Sequence, residues 1–115
     1  MLDDKRKFKR IECQISSIYN VPETPLALAE TTVRDISEGG VRFRTNHLIP
    51  VRNQLSLNLN IPKKKPIEAR LKPAWITEIP HVGHYEIGAF FITLSYEDKK
   101  ILRDWMEIQP VSKLL

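Results

Sequence analysis

The chain has a single cysteine, Cys13, which excludes an internal disulfide, and no Cys/His spacing of a metal site. No apolar run approaches the ~20 residues that a helical membrane span needs. The N-terminus is charged from Asp3 onward and shows no signal peptide. These absences give the expectation of a cytoplasmic protein, where thiols stay reduced. Internal repeats and low-complexity segments are also lacking. So is a catalytic constellation, which needs a nucleophile beside a base or paired carboxylates in a sheltered cleft. The three histidines, His47, His81 and His84, fall at predicted turns and in no recognisable motif. Asp35 and Ser37 have no indicated histidine partner and belong to residue types common in turns. Cys13 lies on an apolar stripe and reads as a small core residue. The expectation is a protein without enzymatic activity, metal or cofactor.

What is present suits one small domain. The 115 residues are 42% hydrophobic and 28% charged, enough for a single modest core. The net charge is +4, and most of it sits at one end. Residues 1–10 hold five bases (Lys5, Arg6, Lys7, Lys9, Arg10) against two acids (Asp3, Asp4), a local net of +3. A second cluster, Lys63, Lys64 and Lys65, lies between prolines and reads as a solvated loop. A basic balance suits an anionic partner, but two short clusters carry little weight for nucleic acid.

Alternation with a period near two dominates from residue 11. Ile11, Cys13, Ile15 and Ile18 mark a first strand, ended by Pro22 and Pro25. A second covers residues 26–36, with β-branched Thr31, Thr32 and Val33. Glu38, Gly39 and Gly40 turn the chain. Val41, Phe43 and Thr45 then alternate with Arg42 and Arg44, a third strand with a basic face. Leu55, Leu57, Leu59 and Ile61 give the clearest strand, residues 67–79 a fifth with Pro73 at an edge, bend or bulge, and residues 85–94 a sixth in which Gly88 marks a close approach or bulge. The period then becomes helical. Ser95 and Asp98 resemble a capping box, and Ile101, Leu102, Trp105 and Ile108 share one face before Pro110. The fold class is all-β, a six-stranded antiparallel barrel with a C-terminal helix. The chain divides into a basic arm (1–10), a barrel (11–94) and a helix (95–109) within one domain, 1–115.

Two segments carry the binding chemistry. Arg6 and Arg10 present planar donor forks that match phosphate oxygens and can stack on a purine. In the segment D-I-S-E-G-G, the Asp35 carboxylate can accept from the N1–H and N2–H₂ edge of guanine. Ser37 offers a hydroxyl, and Gly39 and Gly40 permit positive φ and bring backbone N–H groups near an anion. Either segment alone is ordinary, a basic tail or a connecting turn. Their order, spacing and flanking strands together are more specific.

With R-x-x-x-R at Arg6 and Arg10 and D-x-S-x-x-G at Asp35, Ser37 and Gly40, the chain resembles the PilZ domain, a bacterial receptor module for cyclic di-GMP. The segments A-W-I-T-E (74–78) and Y-E-I-G-A-F-F (85–91) are similar to that family's late strands, and the closing helix fits too. The resemblance implies that Arg6 and Arg10 bind phosphates and stack on guanine. Asp35 and Ser37 then read a guanine edge, Gly40 shapes the turn, and Gly88 leaves room beside the ligand. It implies one ligand molecule or an intercalated pair, a choice influenced by Lys5, and admits additional phosphate contacts from Arg42 and Arg44. The arm is expected to fold over the barrel on binding. The complex then signals to an effector protein in motility, pilus or exopolysaccharide control. Two alternatives stand beside this reading: an adaptor of the same fold that binds only protein, and a small barrel for single-stranded nucleic acid. The second needs aromatic platforms beside a basic groove, for which Trp75 and Tyr85 are the candidates.

Overall fold

Period-two alternation builds six strands, and one helical stretch follows them. The computed structural model describes residues 10–21 and 28–109. The elements are β1 (Ile11–Asn20), β2 (Ala29–Ile36), β3 (Gly40–Thr45), β4 (Leu55–Leu59), β5 (Ile67–Ile79), β6 (His84–Thr93) and α1 (Tyr96–Glu107). Every neighbouring pair is antiparallel, in the order β1-β2-β3-β6-β5-β4. A second pairing of β1, with β4 through Ser17–Leu59 and Asn20–Ser56, closes the barrel. The expected six-stranded antiparallel barrel with a C-terminal helix is therefore present.

The interior follows the sequence alternation. β4 turns Leu55, Leu57 and Leu59 inward and Asn58 outward. Phe43, Leu71 and Ile87 complete a fully buried centre, and the rings of Tyr19 and Phe43 meet at 5.4 Å. The Tyr19 hydroxyl bonds the Thr45 hydroxyl and lies 3.3 Å from His47 Nδ1, so the buried phenol keeps polar partners. Ser95 caps α1, its hydroxyl accepting from Asp98 N–H at 3.0 Å. The helix buries Leu102, Trp105 and Met106 against the barrel.

Several expected details shift. Ile18 is 37% exposed, because the inward residues after Ile15 are Ser17 and Tyr19, and Ile18 falls between them. Cys13 is only partly buried, packed against the core rather than within it. β2 begins at Ala29, and Leu26 and Pro110 lie outside the described residues. Ile61 is buried but follows the end of β4. Ile108 does not share the buried helix face. It occupies the C-cap, 74% exposed, and Met106 fills the place instead.

β2 contains the irregularity that matters most. Its register against β3 shifts between Val33 and Asp35, with Arg34 the extra residue, and the register of β1 against it shifts between Glu12 and Ile15. Strict alternation would turn Asp35 inward with Val33. The bulge breaks that parity, so Ile36 takes the inward place and Asp35 is left on the outside. Pro73 also sits at a register shift, between Pro73 and Trp75, as the sequence anticipated.

The helix correction predicts unequal truncations. Leu102→Ala should cost about 2–5 kcal/mol in denaturant unfolding, and Ile108→Ala about 0.5 kcal/mol or less. Cys13 predicts a silent thiol. Burial first, then the negative charge of Asp35, pushes its pKa up to about 12, with Arg42 acting in the opposite sense. The folded thiol thus stays protonated where an unfolded one ionises. Its contribution to stability is complete below the ordinary thiol value and is lost as pH rises towards 12. A disulfide-exchange reagent at pH 8 should label the folded chain far more slowly than the urea-unfolded chain; equal rates would contradict the assigned environment.

Candidate functional site

The turn between β2 and β3 is built from its own side chains. Ser37 N–H donates to Gly40 C=O at 2.9 Å. Ser37 Oγ accepts from Gly39 N–H at 3.0 Å and Gly40 N–H at 3.3 Å. The Ser37 hydroxyl therefore organises the turn and keeps its own proton as a donor. The two glycine N–H groups, expected to face an anion, bond this hydroxyl. Neither glycine has a positive φ; among the described residues the glycine that does is Gly83, in the β5–β6 turn. What Gly40 supplies is proximity. A Cβ there would run into the Ala89 carbonyl and the Phe90 backbone of β6. Phe91 N–H donates to Gly39 C=O at 2.9 Å, which ties the turn to β6.

Beside the turn lies an open cleft of about 300 Å³. Its lining includes Arg10, Asp35 and Ser37 with both glycines of the turn, and Trp75, Gly88 and Phe90 from β5 and β6. Gly88 does leave room, but the room is taken by the Trp75 indole, which a Cβ at position 88 would overlap. Trp75 and Phe90 are 41% and 47% exposed, so both rings show a face to the cleft. Phe90 was not singled out in the sequence. The signal available was its place beside Gly88 on the strand that pairs with the glycine turn. Tyr85 lies at the far end of β6, paired with Thr45 and Glu78, and does not line the cleft.

The two sequence segments meet here. Arg10 Nε lies 3.2 Å from Asp35 Oδ1, although 25 residues separate them. On the other side of Asp35, Arg42 Nε lies 3.7 Å from Oδ2. Arg42 also donates to Glu86 Oε2 at 2.6 Å, and Arg44 Nε lies 3.7 Å from the same oxygen. Arg42 and Arg44 are thus held by a carboxylate on β6, and neither lines the cleft. Glu38 of the turn pairs with Arg103 of α1 at 3.3 Å. Lys5 and Arg6 lie outside the described residues. Among those described, no group of three or more His, Cys, Asp or Glu could hold a metal ion. None of the described helices is long and apolar enough to cross a membrane.

Comparison with known proteins agrees with this architecture. A sequence search of curated proteins finds no match. Among solved structures, the fold is similar to the Bacillus subtilis inhibitor of motility MotI/DgrA (TM-score 0.74, 14% identity, 94% of this chain and 55% of that one). It is similar to the PilZ domain of Escherichia coli YcgR, solved with c-di-GMP (0.66, 12%, 87% of each chain). It is also similar to the K. pneumonia MrkH–c-di-GMP complex (0.71, 18%, 92% and 54%). The chain spans about half the length of the MotI/DgrA and MrkH chains. At these identities the likenesses concern the fold. The family model of the PilZ domain matches residues 4–107, and the chain belongs to the PilZ domain family.

Proposed function

We propose that the chain is a non-enzymatic receptor for cyclic di-GMP. The observation that carries this reading is the meeting of Arg10 and Asp35 at one cleft. A phosphate-seeking guanidinium and a guanine-seeking carboxylate stand within bonding distance in a cleft that two aromatic rings also line. Membership of the PilZ family and the c-di-GMP complexes of YcgR and MrkH, which share the fold, support it.

In this reading Arg10, with Arg6 from the preceding segment, binds the phosphates and covers a base. Asp35 accepts from N1–H and N2–H₂ of guanine, and Ser37 donates its hydroxyl proton to the ligand. Gly39 and Gly40 keep the turn low enough for close approach. Trp75, packed against Gly88 and partly exposed in the cleft, offers a ring for a base to stack on. Arg42 and Arg44, engaged with Glu86, are not assigned to phosphates. The N-terminal arm closes over the ligand, neutralising its local charge, and the combined surface is read by an effector protein in motility, pilus or exopolysaccharide control. The single domain 1–115 acts as the sensing unit.

Isothermal titration with cyclic di-GMP tests the reading directly: heat at tens of micromolar ligand is expected, and its absence would favour the adaptor that binds only protein. Arg10→Ala and Asp35→Ala should each weaken binding by about 10- to 100-fold, the worth of a lost charge-assisted hydrogen bond, while the far-ultraviolet spectrum is unchanged. Quenching of the exposed Trp75 should accompany saturation, and Trp75→Leu should remove it.

A further inference from the structure

We propose that Arg42, braced by Glu86, is a positioning residue that holds the Asp35 carboxylate in the orientation that selects guanine. This rests on the cyclic di-GMP reading above and assigns a part of its specificity to two residues outside the cleft.

The placement begins with the strands. Asp35 and Arg42 are direct cross-strand partners on β2 and β3, where opposite charges attract. Asp35 follows a register shift, so the regular pleat of β2 does not by itself orient its side chain. The two carboxylate oxygens face different guanidinium groups: Oδ1 accepts from Arg10 Nε at 3.2 Å, while Arg42 Nε lies 3.7 Å from Oδ2, an ion-pair contact longer than a hydrogen bond. Arg10 lines the cleft, but Arg42 does not, facing instead a separate groove with Glu12, Cys13 and Arg34. Arg42 is in turn fixed by Glu86 at 2.6 Å, the shortest ion pair among the described residues. Glu86 comes from β6, pairs in register with Arg44, and does not line the cleft either.

The geometry divides the work. When Arg10 turns to a phosphate, Oδ1 is released to the base. Arg42 approaches from the side away from the cleft and keeps Oδ2. At 3.7 Å Arg42 attracts Oδ2 by charge without taking a lone pair, so Oδ2 can keep this contact and still accept from a base. That attraction favours the carboxylate plane that takes two parallel bonds, one from N1–H and one from N2–H₂. Without the brace it can rotate and make one of them. Arg42 thereby affects which base is accepted, with little effect on how phosphates are held.

The readout is a ratio. Affinities for cyclic di-GMP and cyclic di-IMP, which lacks the 2-amino group, are measured by calorimetry on the unaltered chain and on Arg42→Gln and Glu86→Gln. The unaltered chain should prefer cyclic di-GMP by tenfold or more, as a bidentate base contact does. In both variants the ratio should fall about tenfold, with cyclic di-IMP affinity nearly unchanged. Glu86→Gln is nearly isosteric and keeps the test available should Arg42→Gln unfold. An unchanged ratio, or equal weakening of both ligands, overturns the positioning role alone and leaves the receptor reading standing. A ratio near one in the unaltered chain also overturns it. Binding of neither nucleotide by the unaltered chain overturns both.

Discussion

The double pairing of β1 is the constraint on which the rest depends. β1 bonds β2 along one edge and β4 along the other, and so turns a six-stranded sheet into a barrel without open edges. Its first residue, Ile11, pairs with Ile36 at the end of β2. The residue before the barrel, Arg10, is therefore delivered to the strand end where Asp35 and the glycine turn lie. No loop needs to reach across the molecule to join the two segments. Antiparallel pairing of β1 and β2 makes them neighbours, and closure keeps them so.

Two departures from regular strand geometry shape the candidate site at that end. The register shift beside Arg34 turns Asp35 out of the core, where an ionised carboxylate would be costly, and leaves it accessible from the cleft. The absent side chains of Gly40 and Gly88 let neighbouring groups approach: the β6 backbone at Gly40 and the Trp75 indole at Gly88. The second glycine gives the cleft an aromatic lining, because the indole occupies the space that a Cβ at position 88 would fill.

Much of this was legible in the chain, and the parts that were not share a cause. β4 and β5 could be read nearly to the residue, since Leu55, Leu57 and Leu59 alternate cleanly and Pro73 advertised an irregularity. The motif residues Arg10, Asp35, Ser37, Gly40 and Gly88 do gather at one cleft. Roles that depend on a partner were harder. Arg42 and Arg44 were read as strand arginines open to phosphate contacts, because Glu86 lies more than forty residues away. Gly88 looked like space for a ligand because nothing in sequence says that a tryptophan thirteen residues earlier lies over it. Ile108 fitted a helical wheel, but the helix ended one residue before it. Periodicity reports which face a residue occupies; it does not report which distant group that face meets, nor where a bulge resets it.

The ion pairs around Asp35 have unequal strengths, and that inequality suits a receptor. The Asp35 side chain is 14% exposed, so its charge needs a partner before any ligand arrives. Arg10, itself 41% exposed, supplies one in a pairing of the kind worth only about 0–1 kcal/mol. Such a contact satisfies the carboxylate and yields readily when a phosphate competes for the guanidinium. The pair of Arg42 and Glu86 is shorter, its arginine 27% exposed against 41% for Arg10, and is the one that should persist. In the proposed receptor, binding then exchanges partners instead of stripping them. Arg10 passes from carboxylate to phosphate, and Oδ1 of Asp35 passes from guanidinium to guanine. The persistent pair behind them keeps the carboxylate from following Arg10 out of register, which is how a small open cleft can hold a preference for one base.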